Sequence, residues 1–184
     1  MATNKINSLF IFITLISMAP HLHRAVANLA RDWCTRTTHS ATCLSIVNAD
    51  RRANLKTSPN GLATILRDKA LTTAQATLIK ITSLSRRARN PHEIAALKSC
   101  SAGYLRAISS LKTAKFAVIN RDVYGIVLGA ISDANDEPRD CELAFQEPPA
   151  IPSPISANNN RLRDILATNL EIINLIVCNS PSFC

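Results

Sequence analysis

Apolar residues recur at every third or fourth position through most of the chain, and this spacing restricts what the chain can fold into. Four such stripes occupy residues 62–88, 94–118, 123–145 and 162–176, and the third of them includes Ile126. A spacing of three to four residues places apolar side chains on one face of an α-helix, whereas a half-buried strand needs strict alternation. The sequence therefore predicts an all-α fold built on four amphipathic helices.

Prolines and short polar segments separate the four stripes. Asn60-Gly61 is a plausible break before the first stripe, and Pro91 ends it and suits the first turn of the next helix. Residues 147–154 contain four prolines and cannot form regular helix. Short connections of this kind favour an antiparallel four-helix bundle over residues 60–178. Residues 28–58 are predicted to form a small helical hairpin that leans on the bundle.

The N-terminal segment has the pattern of a secretory signal. Lys5 precedes an apolar run over residues 9–19, Pro20 ends that run, and Ala25-Val26-Ala27 supplies small residues for cleavage. A membrane span needs roughly 20 apolar residues, so a membrane anchor is the weaker interpretation. We therefore predict a cleaved signal over residues 1–27 and a secreted domain over residues 28–184, with no membrane partner after cleavage.

The six cysteines all follow the predicted signal: Cys34, Cys43, Cys100, Cys141, Cys178 and Cys184. An even number of cysteines in an oxidising compartment predicts disulfide bonds. A zinc site would need closely paired ligands, but the cysteine spacings are wide and only His39 and His92 follow the signal. The sequence predicts neither a metal nor another cofactor.

The predicted mature chain is basic. Without Lys5 and Arg24, 19 of the 21 Lys and Arg residues remain against 13 acidic residues, which gives a net charge of +6. Nucleic acid is disfavoured as a partner, because aromatic residues for base stacking are few and the chain is predicted to be secreted. Most of the cations are expected on solvated helix faces. A weak attraction to acidic pectin is left open.

No set of residues points to catalysis. One group of carboxylates is close enough in sequence for the acid–base pair of a glycosidase: Asp133, Asp136, Glu137, Asp140 and Glu142. Their surroundings are rich in Asn and Pro, which favours a polar turn at a solvated helix end. We therefore predict no catalytic residues and a protein that is not an enzyme.

Several short motifs resemble those of the plant invertase and pectin methylesterase inhibitor family. Cys34 and Cys43 enclose eight residues, and residues 96–104 read ALKSCSAGY. Residues 122–124 read DVY, and Cys141-Glu142 is followed by Phe145. With the last stripe, the resemblance extends over residues 30–177. It implies a four-helix-bundle inhibitor with disulfides Cys34–Cys43 and Cys100–Cys141.

The chain also departs from the family pattern. The family usually has a proline between the first two cysteines, and residues 35–42 contain none. Asp140 stands before the fourth cysteine, where the family usually has threonine. Cys178 and Cys184 lie beyond the common pattern, and they could form a third pair, remain free thiols or link two chains.

The family has two branches, and one segment favours the branch directed at pectin methylesterase. Residues 148–152 read PPAIP, which resembles a segment of that branch, and residues 120–124 lack the Pro-Lys-Phe of the invertase branch. The resemblance thus implies a secreted inhibitor that docks stoichiometrically on pectin methylesterase in the cell wall. Two alternatives are an inhibitor of wall or vacuolar acid invertase (β-fructofuranosidase) and a wall-binding helical protein without inhibitory activity.

The resemblance also implies a docking surface on the outer faces of the second and third bundle helices. The side chains expected to contact a partner there are Lys112, Lys115, Arg121, Asp122 and Tyr124. Tyr124 is the candidate aromatic anchor, since buried aromatic side chains often dominate the binding energy of an interface.

Overall fold

The computed structural model describes residues 29–114 and 121–178, and within these ranges it contains helices and no strand. The helices are α1 (29–35), α2 (Ser40–Ala49), α3 (Pro59–Ser85), α4 (Pro91–Thr113), α5 (Arg121–Gln146) and α6 (Ser156–Cys178), with a 3₁₀ turn at Ala53–Thr57 between α2 and α3. The predicted all-α fold is confirmed. The predicted signal at residues 1–27 lies outside the described residues.

Helices α3 to α6 form a four-helix bundle in which each helix packs against two others. α4 lies between α3 and α5, and α6 closes the bundle against both α5 and α3. The amine of Lys80, near the end of α3, donates to Asn158 at the start of α6 over 2.8 Å. The buried amide of Asn169 in turn lies 3.3 Å from the carbonyl oxygen of Ala63 near the start of α3. The two helices are therefore antiparallel, as the bundle prediction requires.

Side-chain caps determine where two of the long helices begin. The Ser58 hydroxyl accepts a hydrogen bond from the Gly61 N–H over 3.2 Å, and the Asn90 side chain accepts one from the His92 N–H over 2.9 Å. A proline follows each cap, where its missing N–H costs no helical hydrogen bond. The predicted break at Asn60-Gly61 is therefore wrong, because both residues lie in the first turn of α3.

Gly61 lies in that first turn because the chain before it passes very close. A Cβ atom at this position would overlap the backbone carbonyl group of Leu55 in the 3₁₀ turn. Glycine is thus needed here for space and not for a turn, which is why its identity misled the sequence prediction.

The N-terminal hairpin is joined to the bundle by polar contacts with α6. The disulfide Cys34–Cys43 joins α1 to α2, and both cysteines are buried. Between the two helices, the N–H and the hydroxyl group of Thr38 both donate to the carboxylate of Glu171. His39 Nε2 lies 3.6 Å from the carboxylate of Asp164. The turn between α1 and α2 is therefore in direct contact with α6, the last helix of the described chain.

Helix α5 continues through a proline. Pro138 is buried inside the helix, although it cannot donate a backbone hydrogen bond to residue 134. The acidic residues between 133 and 142 consequently lie along a continuous helix, and the predicted polar turn is wrong. Packing of Ala134 and Cys141 against the rest of the core maintains the helix on both sides of the proline.

Over residues 29–114 and 121–178, none of the helices combines the length and the apolar character that crossing a bilayer requires.

We expect Gly61→Ala to lower the free energy of unfolding by about 2 kcal/mol, since overpacking against a fixed backbone group forces a shift of the chain. Gly125→Ala is the matched control, because a Cβ there meets nothing within 4 Å and alanine is the better helix former. Urea denaturation of both variants tests this. Equal stability of the two variants would contradict the close approach of Leu55.

The two described disulfides should contribute unequally to stability. Cys100 and Cys141 are 41 residues apart, whereas Cys34 and Cys43 are 9 apart. Loop-closure entropy predicts about 4 kcal/mol for the longer loop and about 3 kcal/mol for the shorter. Guanidinium denaturation of the Cys100→Ala/Cys141→Ala and Cys34→Ala/Cys43→Ala variants measures the difference. The reverse order would argue against loop closure as the main effect.

Candidate functional site

Helices α4 and α5 are covalently joined near the centre of α4. The disulfide Cys100–Cys141 is buried, and its Cα atoms are 4.6 Å apart. Less than one turn further along α4, a Cβ atom at Gly103 would lie 2.7 Å from the Glu137 Oε2 atom. The glycine thus leaves room for a carboxylate of α5 against the surface of α4, and the two helices approach closely over this stretch.

An ion pair continues the contact between the two helices. Arg106 of α4 donates to Glu137 of α5 through Nε over 2.6 Å and through Nη2 over 2.7 Å. The Arg106 side chain is 63% exposed, whereas that of Glu137 is 12% exposed. The hydrogen bonds that Arg106 donates to Glu137 raise the pKa of Arg106 above its usual value. This two-point contact keeps both side chains in one orientation at the edge of the groove between the helices.

A polar network lies below this contact and connects α4, α5 and α6. The Tyr104 hydroxyl donates to Asn159 Oδ1 over 2.6 Å, and Asn159 Nδ2 donates to Glu142 Oε1. Ser153 also donates to Glu142, over 2.8 Å. Tyr104 and Asn159 are completely buried. Burial, more than any other factor, raises the pKa of Tyr104, so its hydroxyl group is a hydrogen-bond donor at physiological pH.

The outer surface of the α4–α5 pair combines exposed apolar and charged side chains. A shallow groove of about 390 Å³ runs between the helices and is lined by Arg106, Ser109, Ser110, Asp133, Asp136 and Glu137. Ile126 is 67% exposed, and it lies seven residues before Asp133 and therefore on the same edge of α5. On α4, Leu105 is 57% exposed. We define the α4–α5 face as Leu105, Arg106, Ser109, Lys112, Ile126, Asp133, Asp136 and Asp140.

Two of the partner-binding residues predicted from the sequence lie on different sides of this pair of helices. Lys112 is exposed in the last turn of α4, seven residues after Leu105 and on the same stripe of the helix. Tyr124 is half-buried, and its hydroxyl donates to Asn174 of α6 over 2.7 Å. Tyr124 therefore lies on the side of α5 that faces α6, away from the groove next to α4.

The other three predicted partner contacts, at Lys115, Arg121 and Asp122, lie in the connection between α4 and α5 or next to it. Arg121 begins α5 and Asp122 follows it, but their side chains and all of Lys115 lie outside the described residues. Cys178 is the last residue of α6, and Cys184 lies beyond the described part of the chain. The contacts of these residues and the third cysteine pair stay predictions.

Several residues of the α4–α5 face were not predicted from the sequence. Ile126 falls within the third predicted apolar stripe, but it faces solvent. The apolar stripe of α4 passes through Tyr104 and Ile108 and does not include Leu105. This is the one sequence signal that Leu105 is exposed. Asp140 is exposed, with one carboxylate oxygen 3.6 Å from Arg139 Nε. The described residues contain no group of three His, Cys, Asp or Glu side chains that could hold a metal ion.

Comparisons with known proteins agree on one family. The family profile described as plant invertase/pectin methylesterase inhibitor matches residues 28–172. A pectinesterase inhibitor of Actinidia deliciosa is 31% identical over 166 residues, which are 90% of this chain and 88% of that protein. Pectinesterase inhibitor 2 of Arabidopsis thaliana is 30% identical over 179 residues, which are 95% of this chain and 97% of that protein.

Solved structures share the fold. A crystal structure of a mutant form of a pectin methylesterase inhibitor from Arabidopsis superposes with a TM-score of 0.62 at 24% identity, over 77% of this chain and 93% of that one. A second structure of a pectin methylesterase inhibitor, from Arabidopsis thaliana, gives a TM-score of 0.56 at 22% identity, over 79% and 94% of the two chains.

We expect Asn159→Ala to lower the free energy of unfolding by about 3 kcal/mol. The change removes the acceptor of the buried Tyr104 hydroxyl and one of the two donors to the Glu142 carboxylate, and an unpaired buried group costs about 1–3 kcal/mol. Asn160→Ala, at the exposed neighbouring position, should change stability by less than about 0.5 kcal/mol. Thermal and urea denaturation of the two variants measure the difference, and similar values would show that the network contributes little.

Proposed function

The chain belongs to the plant invertase/pectin methylesterase inhibitor family, and from this premise we propose that it inhibits plant pectin methylesterase by stoichiometric docking, without catalysis of its own. The observation that carries the proposal is the α4–α5 face, an exposed surface on two helices that a disulfide and a two-point ion pair hold together. The names of the relatives in Actinidia deliciosa and Arabidopsis thaliana support the choice of target.

The construction of the α4–α5 face suits a binding surface. Association costs free energy when flexible segments must become ordered, and a surface that is already rigid avoids part of that cost. The backbone of this face belongs to two packed helices, and Arg106 is held by Glu137 before any partner arrives. Docking on this face therefore requires little reorganisation of the backbone.

Ile126 is the side chain best placed to serve as an anchor. It is a large apolar group exposed to solvent, and Asp133 lies about two helical turns further along the same edge of α5. Interfaces typically derive most of their binding energy from a few such side chains that become buried within a polar rim. Lys112 on α4 and the carboxylates of Asp133 and Asp136 on α5 supply charges of both signs, which can orient an incoming enzyme.

We propose that the protein acts outside the cell, in the cell-wall space. The two described disulfides require an oxidising compartment to form and persist. The secretory signal predicted at residues 1–27 would supply the route. The vacuole is reached through the same route and is the other compartment in which an acid invertase would be met.

A titration of candidate target enzymes tests the proposal. The purified chain from residue 28 is added in increasing amounts to a plant pectin methylesterase and, in parallel, to a plant acid invertase at mildly acidic pH. Loss of demethylation at a one-to-one ratio, with invertase unaffected, is the expected result. Inhibition of invertase alone would replace the proposed target, and no inhibition of either would favour a wall-binding protein attracted to acidic pectin.

Ile126→Glu should weaken inhibition by about thirtyfold, because a central anchor contributes about 2 kcal/mol of binding free energy. Ile79→Glu is the matched control, since Ile79 is also exposed, at 72%, but lies on α3. Inhibition constants of the two variants, measured with the same enzyme preparation, provide the comparison. If both variants inhibit as well as the unchanged chain, the α4–α5 face is not the docking surface.

A further inference from the structure

A second concave surface lies across the bundle from the α4–α5 face. Two depressions of about 420 and 510 Å³ occur where the N-terminal hairpin packs against α3 and α6. Ser45, Ile46, Lys69 and Arg161 line both depressions, so the two are continuous at these residues. We name this surface the hairpin groove, and each depression is within the size range of ligand pockets, about 300–1,000 Å³.

Two cations of the hairpin groove have no partner among the described residues. Lys69 of α3 is half-buried and Arg161 of α6 is exposed, and neither side chain makes an ion pair or a hydrogen bond with the described part of the chain. Partial burial of an unpaired ammonium group costs solvation, and a bound anion would offset that cost. Both cations border the region where the depressions meet, so one anionic group there could contact both.

The carboxylates near the hairpin groove are already engaged. Arg52 pairs with Asp50 and with Asp68, each over 2.6 Å, and these hydrogen bonds lower the pKa of Asp50. Asp68 also lies 2.9 Å from Arg67 Nε, and Asp164 lies 3.6 Å from His39 Nε2. The acids therefore face side chains other than Lys69 and Arg161.

The remaining lining residues suit a carbohydrate. Ser45, Thr42, Thr72 and Asn160 contribute hydroxyl and amide groups that can bond to sugar hydroxyls. Ile46 is partly exposed and contributes apolar surface, on which the C–H face of a sugar ring can rest. An anion site beside alternating polar and apolar surface matches a sugar that carries a carboxylate.

We propose that the hairpin groove binds an oligosaccharide of uronic acid, with Lys69 and Arg161 holding one carboxylate between them. The weak attraction to acidic pectin that the basic sequence left open would then be located in the hairpin groove. The proposal does not depend on inhibition of pectin methylesterase, because the groove and the α4–α5 face lie on different pairs of helices.

Binding of defined oligosaccharides tests the proposal. The chain from residue 28 is titrated by calorimetry and by NMR with oligogalacturonate, with the fully methyl-esterified oligomer of the same length, and with polyglutamate as a polyanion of another class. We expect binding of the acid form, with shifts confined to the hairpin groove, and no binding of the ester. Equal binding of the ester would overturn the role of the carboxylate, and equal binding of polyglutamate would overturn the assignment to a carbohydrate.

Variants of the two cations locate the site. Lys69→Gln and Arg161→Gln should each weaken oligogalacturonate binding by about tenfold, while Arg163→Gln and Arg87→Gln, at exposed positions outside the groove, should leave it unchanged. All four variants should keep the helical circular-dichroism spectrum and the enzyme inhibition of the unchanged chain. A uniform loss of binding in all four would mean that net charge and not the groove attracts the polymer. Binding that persists without inhibition would contradict the proposed function and leave the groove supported.

Discussion

The disulfide between Cys100 and Cys141 holds α4 and α5 in one register, and the other contacts of this helix pair depend on that register. Gly103 leaves space for Glu137 only if the two helices are aligned as this bond aligns them. Arg106 then reaches both carboxylate oxygens of Glu137. A shift of one residue would turn these groups away from each other, because neighbouring helical residues point about 100° apart. The α4–α5 face is thus a product of one covalent constraint and the small residue beside it.

Buried polar groups fix the position of α6 relative to the α4–α5 pair that the disulfide aligns. Asn159 of α6 bonds to Tyr104 of α4 and to Glu142 of α5, so α6 can approach only where these three side chains meet. Apolar packing alone would tolerate several alignments of α6. Buried hydrogen bonds select one of them, since every other alignment would leave polar groups unpaired in the core.

Much of the fold was predictable from apolar periodicity, and the errors have identifiable causes. The four long helices follow the four stripes, because a helix can bury only the face on which its apolar residues lie. Gly61 was taken as a break because its need for space arises from Leu55 in a separate turn, which no local pattern reveals. Ile126 belongs to the third apolar stripe and yet faces solvent, because periodicity does not show where the covering helices stop. Likewise, Tyr124 was predicted to contact a partner, but its hydroxyl bonds to Asn174 of α6. A contact between residues so far apart in sequence leaves no local pattern.

The attachment of the hairpin to α6 affects the order in which the molecule can be completed. Thr38 bonds to Glu171, which is 133 residues further along the chain. The chain emerges from the ribosome N-terminus first, so the hairpin and its disulfide can exist long before α6 is made. During that interval Trp33, which is buried in the finished protein, has no completed core to cover it. The hairpin is therefore among the last parts of the described chain to reach its final position, and it can do so only after α6 has been synthesised.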